Sequence, residues 1–179
     1  FMPIHASPST QGFSGYRWLF LALLLLAILA AVGIYTRPLT PIDETRYVGV
    51  AWEMWLRNDY LVPYKNGMPY DHKPPLLMCL IQAGWALFGA QDWIPRLVMP
   101  LASAASLFMT WLLAFKLWPE HTRRLPGTAV IITASSFLWM VYSSMLMFDM
   151  LLALFTLMGL HGVLTLAFSP SAVCIVISS

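Results

Sequence analysis

Two pairs of ionisable residues begin and end the most charged stretch of the chain. Asp43 and Glu44 stand together near its start, and His72 and Lys73 precede two prolines at its end. More than half of the 18 acidic and basic residues lie between Arg37 and Lys73. Adjacent carboxylates can accept a proton or orient a hydroxyl, and a lysine held in place can bind a phosphate. The stretch is therefore the first candidate for a reactive site.

Two further residues could act with this stretch. Asp149 lies between two apolar runs, and ionisable residues at membrane depth are costly enough to be functional candidates. Arg46, one helical turn after Asp43, offers a planar guanidinium that binds phosphate in a bidentate way. Simpler roles stay open: helix capping for Asp43 and Asp149, and snorkelling to lipid headgroups for Lys73. His72 has no companion at metal-ligand spacing, which favours a plain loop histidine.

The composition of the chain is that of a membrane protein. Of its 179 residues, 59% are hydrophobic and 10% are charged, and the mean hydropathy is +0.71. Soluble domains carry about 25% charged residues. A net charge of +2 without a basic run gives no support for nucleic acid as a partner. Cys79 and Cys174 lie in apolar surroundings, so we interpret them as packing residues and expect no disulfide.

Four apolar stretches are long enough to cross a bilayer, which takes about 20 residues. They cover residues 18–35, 97–117, 128–146 and 150–168. Residues 1–17 show no periodicity and predict a disordered tail, and residues 169–179 are interpreted as a truncated tail. Residues 18–168 are expected to be the N-terminal portion of one transmembrane domain.

Two shorter helices are predicted between the first and second spans. Residues 43–58 place charged side chains on one face and apolar ones, among them Tyr47 and Met54, on the other, which is typical of a helix on the membrane surface. Residues 76–88 are apolar but too short to cross comfortably. The first outer loop is therefore predicted to contain two interfacial helices.

Local signals refine the first of these helices. Asp43 is predicted to be its N-cap, with Ile42 packed onto Tyr47 one turn later. Glu53 and Arg57 have the i,i+4 spacing of a helical ion pair.

The positive-inside rule gives the orientation. The short basic loop with Arg123-Arg124 is expected in the cytoplasm together with Arg17. Residues 36–94 then lie on the far side, and the chain direction puts Asp149 there too. Asp43 and Asp149 are thus predicted on the same membrane face.

The charged stretch contains the ordered series Asp43-Glu44-Thr45-Arg46-Tyr47, Glu53-Met54, Asn58-Asp59-Tyr60, Pro63, Gly67, Tyr70 and Lys73-Pro74-Pro75-Leu76. This series resembles a loop of a known group of enzymes. These are membrane glycosyltransferases of the GT-C fold that use polyprenyl-phosphate sugars, in the superfamily of lipid A aminoarabinose transferases and protein O-mannosyltransferases. The similarity covers about residues 18–168. The implied fold is an all-α GT-C-like N-terminal bundle.

The resemblance also assigns roles to single residues. It implies catalytic roles for Asp43, Asp149 and Glu44, donor-phosphate binding by Lys73 and Arg46, and a substrate pocket that includes Tyr47, Tyr70 and His72. The aminoarabinose transferase has a glutamate implicated in zinc binding where this chain has His72. His72 is thus the one candidate ligand for a divalent metal, and no cofactor is certain.

The reaction implied is sugar transfer from an outward-facing polyprenyl phosphate to a lipid A-like, envelope-glycan or protein hydroxyl acceptor. The implied location is a bacterial inner membrane, with membrane lipids around the protein and the site on the periplasmic face. Two other classes stay open. A transporter subunit would use Asp43 and Asp149 as relay carboxylates, and a non-catalytic scaffold would explain the spans but not the clustered charge.

Overall fold

The apolar runs of the sequence form the long helices of the protein. A computed structural model describes residues 14–121 and 124–167. Its helices are α1 (Ser14–Thr36), α2 (Asp43–Arg57), α3 (Leu76–Phe88), α4 (Trp93–Leu117), α5 (Leu125–Ser135), α6 (Phe137–Ser144) and α7 (Asp149–Ala167). Strands β1 (Tyr64–Lys65) and β2 (Met68–Pro69) form one antiparallel hairpin between α2 and α3.

The helices confirm the predicted all-α membrane bundle. In the described part of the chain, α1, α4 and α7 are each long and apolar enough to cross a membrane. Helix α1 begins at Ser14, so the prediction of a disordered tail is wrong for residues 14–17, and the rest of that tail lies outside the described residues, as do 169–179. Helix α4 begins at Trp93, four residues before the predicted start of its span.

The third predicted span is not one straight helix. Helices α5 and α6 together cover most of the predicted span 128–146, and they meet at an angle of 69° at Ser136. Ser136 has extended backbone angles (φ −64°, ψ 125°), which end the hydrogen-bond ladder of α5. The second half of this segment, α6, then leads into the loop 145–148 before α7.

Helix α1 packs against α4 and α5 through one stripe of residues. The stripe consists of Leu19, Ala22, Leu26 and Ala30, which recur every three or four positions. Gly127 of α5 lies against Trp18: a Cβ at Gly127 would stand 2.8 Å from the Trp18 Cδ1 atom. Only glycine therefore allows α5 to approach α1 this closely.

The amphipathic pattern of α2 is confirmed, but its predicted start is wrong. Tyr47, Ala51 and Met54 are buried as expected. Asp43 is the first residue of the helix rather than its N-cap. Ile42 takes the cap position with φ 81° and no side-chain cap bond, and its side chain is exposed instead of packed on Tyr47. The carboxylate of Asp43 is thereby free of a capping role.

The hairpin after α2 explains why the predicted Glu53–Arg57 pair is wrong. Asn66 and Gly67 both have positive φ (54° and 80°), as a two-residue hairpin turn requires. The Glu53 carboxylate accepts hydrogen bonds from both of their N–H groups. Arg57 instead lies over the Tyr64 ring, with its Cζ 4.2 Å from the ring centroid. Both side chains therefore hold the hairpin against α2.

Helix α3 joins this layer to the spanning helices. Its 13 residues reach about 20 Å, which is short of the ~30 Å hydrocarbon core. Gly84 lies so near α4 that a Cβ there would stand 2.4 Å from the Ile94 Cγ2 atom. A shared core of side chains from α2, α3, α4 and the loop before α7 holds the charged stretch on the bundle. That α2 and α3 lie at the membrane surface stays a prediction.

Candidate active site around Tyr47 and Phe148

Phe148, the last residue before α7, brings together two parts of the predicted site. Its ring meets the Tyr47 ring edge to face, with centroids 5.1 Å apart at an interplanar angle of 84°. The Lys73 Nζ atom lies 5.5 Å from the centroid of the same ring. Asp149 follows directly in the chain and is exposed at the first position of α7. Lys73, Tyr47 and the start of α7 therefore share one region.

Asp43 and Arg46 form an ion pair beside Tyr47. An Arg46 Nη atom bonds the Asp43 carboxylate, and the Arg46 Cζ lies 5.3 Å from the Tyr47 ring centroid. The Asp43 side chain is 42% exposed and the Arg46 side chain is 29% exposed, so a solute can reach both. The contact with Tyr47, together with nearby Tyr70 and Asp43, raises the pKa of Arg46, which stays charged. Tyr47 thus touches both the ion pair and Phe148.

Tyr70 and His72 differ in their surroundings. Tyr70 is buried in the core beneath α2, and its N–H donates to the Pro63 carbonyl at 2.7 Å. His72 is exposed, with its ring centroid 5.3 Å from that of Tyr70. Across residues 14–121 and 124–167, no three His, Cys, Asp or Glu side chains gather as metal ligands would. The donor set around His72 therefore does not fit a divalent-metal site.

Glu44 is the most deeply placed of the predicted site residues. Its side chain is 2% exposed, and both carboxylate oxygens accept hydrogen bonds. Burial raises the pKa of the Glu44 carboxyl, but hydrogen bonds from Thr40, Leu146 and Arg37 outweigh burial, so the pKa lies below its ordinary value. The carboxylate is therefore ionised at neutral pH. A catalytic role for Glu44 stays a prediction.

Sequence reasoning gave no role to Arg37 or Phe148. Arg37 donates to the Thr40 hydroxyl at 2.7 Å, to Glu44 Oε1 at 2.9 Å and to the Ser144 carbonyl at 2.8 Å. A cation just after an apolar span, close to two carboxylates, was an available signal for Arg37. An apolar residue before Asp149 carries no such signal for Phe148. Of the two cysteines, Cys79 donates its thiol to the Tyr60 carbonyl, and Cys174 lies outside the described residues.

A polar cleft of about 340 Å³ adjoins the ion pair. It lies between the outer face of α2 and the hairpin, and Arg46, Lys65 and Asn66 contribute to its walls. A larger, apolar groove of about 550 Å³ runs between α1 and α4, away from the charged stretch. Of the residues grouped at the site, Arg46 borders this cleft.

Together, these features define a class: a multi-span α-helical membrane protein with carboxylates and cations gathered at one region of the bundle. Comparison with curated proteins then points to a particular group. The chain is 33% identical over 102 residues to an undecaprenyl phosphate-alpha-4-amino-4-deoxy-L-arabinose arabinosyl transferase of Pseudomonas savastanoi pv. phaseolicola, covering 57% of this chain and 19% of that protein. Two Pseudomonas fluorescens proteins of the same name are similar at 35% over 96 residues and 32% over 110 residues.

These similarities confirm the predicted resemblance to the aminoarabinose transferases over about half of the chain. The matches cover 51% and 61% of this chain for the two P. fluorescens proteins. The chain spans about a fifth of the length of the curated relatives it matches. No family model matches the chain, and no solved structure matches it.

Proposed function

We propose that the protein is a glycosyltransferase that takes its sugar from an undecaprenyl-phosphate donor. The observation that carries this proposal is the grouping of Lys73, Tyr47 and the Asp149 end of α7 around Phe148, next to the Asp43–Arg46 pair. A lysine, an arginine and two carboxylates are the groups that a phosphate leaving group and a sugar acceptor require. The relatives' printed names supply the donor class.

The cations act on the departing phosphate. As the bond between the sugar and the phosphate breaks, negative charge grows on the phosphate oxygens. Lys73 and Arg46 bind the phosphate of the donor and stabilise this added charge where it develops, and Arg46 is pre-oriented by Asp43 and Tyr47. Arg46 is held by these contacts before substrate arrives, so little reorganisation of this cation is needed.

The carboxylates act on the acceptor. Asp43 orients an acceptor hydroxyl or accepts its proton, and Asp149 fixes the position of the acceptor or the sugar. A phosphate acceptor, as on lipid A, needs no base, and Asp43 is then an orienting group. A lipid acceptor fits the membrane setting, and a protein hydroxyl is the alternative. The transporter alternative gains no support, because α1, α4, α5, α6 and α7 carry no carboxylate beyond Asp149.

Transfer itself tests the proposal. With the intact protein in proteoliposomes, we expect release of free polyprenyl phosphate only when a polyprenyl-phosphate sugar and an acceptor are both present. Asp149→Asn should lower this rate by about 10- to 100-fold because substrate positioning is lost. Asp92→Asn is the matched control, because Asp92 is also an exposed carboxylate but lies between α3 and α4; this variant should keep the wild-type rate. A donor-independent signal, or equal rates in all three proteins, would reject the proposal.

The periplasmic orientation needs a separate experiment. Asn66 is an exposed residue of the hairpin turn, and Glu120 is an exposed residue of the turn after α4. Cys79 and Cys174 are first replaced, and a single cysteine is then placed at position 66 or at position 120. In whole cells whose outer membrane has been permeabilised, a membrane-impermeant thiol reagent should label position 66 and not position 120. The reason is that one bilayer crossing, α4, separates them. Labelling of both from one side would contradict the shared outer face.

A further inference from the structure

We infer that Glu44, together with Arg37, is a positioning residue that holds the loop before α7 against α2 and thereby sets the place of Asp149. The inference rests on the proposed function, and it gives Glu44 a part that involves no contact with substrate. The observation is a set of hydrogen bonds between residues about a hundred positions apart in the chain.

The contacts join two loops that enter the site from different spans. Glu44 Oε1 accepts the Leu146 N–H at 2.8 Å and the Arg37 guanidinium at 2.9 Å, and Oε2 accepts the Thr40 N–H at 2.6 Å. The same Arg37 Nη2 donates to the Ser144 carbonyl at 2.8 Å. Glu44 and Arg37 therefore fix residues 144–146 at two backbone points.

Arg37 is itself held in place. Arg96 of α4 donates to the carbonyls of Ile34 at 3.0 Å and Arg37 at 2.7 Å. The end of α1 is thus fastened to α4, and through Arg37 and Glu44 the end of α6 is fastened to α2. Carboxylate and guanidinium bonds of this kind are about twice as strong as bonds between neutral groups.

The residues held by Glu44 and Arg37 lie only a few positions before Asp149 in the chain. Leu146 is buried, and Phe148, two residues on, packs on Tyr47 beside Lys73. Asp149 begins α7 immediately afterwards. Displacing a positioned group by about 1 Å can cost on the order of 10²-fold in rate even when the change lies away from the reacting atoms. A loosened Leu146 therefore displaces Asp149 relative to Asp43.

Direct contact between Glu44 and substrate is disfavoured by the same geometry. The carboxylate is 2% exposed and its oxygens already accept three hydrogen bonds. Its neighbour Asp43, by contrast, is 42% exposed and pairs with Arg46 on the open side. Asp43 is therefore exposed to solvent, whereas Glu44 is buried in the protein interior.

The test combines two substitutions with two measurements. Glu44→Gln leaves one carbonyl oxygen where the carboxylate has two, and Arg37→Lys keeps the charge but cannot reach three acceptors with a planar fork. In the intact protein without substrate, we expect faster amide hydrogen exchange in residues 145–149 for both variants. In the transfer assay we expect kcat to fall by about 10²-fold with an unchanged KM for donor, because Lys73 and Arg46 are retained.

Glu53→Gln is the matched control for the exchange measurement. Glu53 is also a carboxylate of α2 that accepts two backbone N–H groups, but those belong to the hairpin turn. Its substitution should speed exchange at residues 66–67 and leave 145–149 protected.

Each outcome decides between positioning and its alternatives. A fall in kcat without faster exchange at 145–149 would mean that Glu44 acts on substrate, and faster exchange without a fall in kcat would mean that the contact is only structural. Either result overturns the inference, as does no change in both. If the unaltered protein transfers no sugar, the proposed function fails instead, and the exchange measurement still tests the contact.

Discussion

Asp43→Asn should lower the rate of sugar transfer by about 10²-fold or more, the lower end of general-base effects, while the protein stays as stable as before. Asparagine has the shape of aspartate and keeps an oxygen that can accept a hydrogen bond from Arg46. The start of α2 does not depend on the side chain, because no cap bond is made there. The substitution thus removes the negative charge and little else. Transfer rates in proteoliposomes and thermal unfolding of the purified protein measure the two effects.

Asp59→Asn is the matched control for this experiment. Asp59 belongs to the same charged stretch, but its Oδ1 accepts the N–H groups of Leu61 and Val62 at 3.0 and 3.2 Å. Asparagine can make the same bonds, so we expect wild-type transfer. An Asp43→Asn protein with full activity would contradict a chemical role for Asp43 and leave Asp149 as the acidic candidate.

Lys73→Ala should raise the KM for the polyprenyl-phosphate donor by about ten- to a hundredfold, because a hydrogen bond to a charged group contributes roughly 1.5–3 kcal/mol. Lys73 is exposed and its ammonium lies over the Phe148 ring, so it can turn to a phosphate without leaving a buried charge behind. Initial rates at varied donor concentration give the KM. Insertion into the membrane should be unchanged.

Two companion variants separate the charge of Lys73 from its packing. Lys73→Met keeps an apolar side chain against Phe148 but has no charge, and it should behave like Lys73→Ala. Lys116→Ala removes a lysine at the far end of α4, away from this site, and should leave the donor KM unchanged. Equal donor KM in all of these proteins would return Lys73 to the simpler role of binding lipid headgroups.

Features that depend on short-range patterns were predictable from the sequence. The long apolar runs gave the spanning helices, and the 3.6-residue period placed Tyr47 and Met54 on the buried side of α2. The dipeptide Asn66-Gly67 is typical of a two-residue turn, and the structure shows a hairpin there. Each of these signals lies within a few residues of its structural effect.

Features that depend on distant partners were not predictable. Glu44 looks like Asp43 in the sequence, but Glu44 accepts the backbone N–H of Leu146, 102 positions away, whereas Asp43 pairs with Arg46 one turn along the same helix. The break at Ser136 follows Thr133, Ala134 and Ser135, and no glycine or proline marks the point at which the helix ends. Arg57 lies at helical ion-pair spacing from Glu53, but the Glu53 carboxylate binds two backbone N–H groups of the hairpin instead.

The long reach of the Glu44 contacts has a consequence for biogenesis. Arg37 and Thr40 precede Glu44 by a few residues, so this carboxylate has two of its partners as soon as it is synthesised. Leu146 emerges from the ribosome 102 residues later, which is roughly 5 to 20 s at ordinary rates of translation. Until then Arg37 is available to pair with Glu44 while the next hydrophobic segments are synthesised. The site is thus completed only when the segment ending at Ser144 has been integrated.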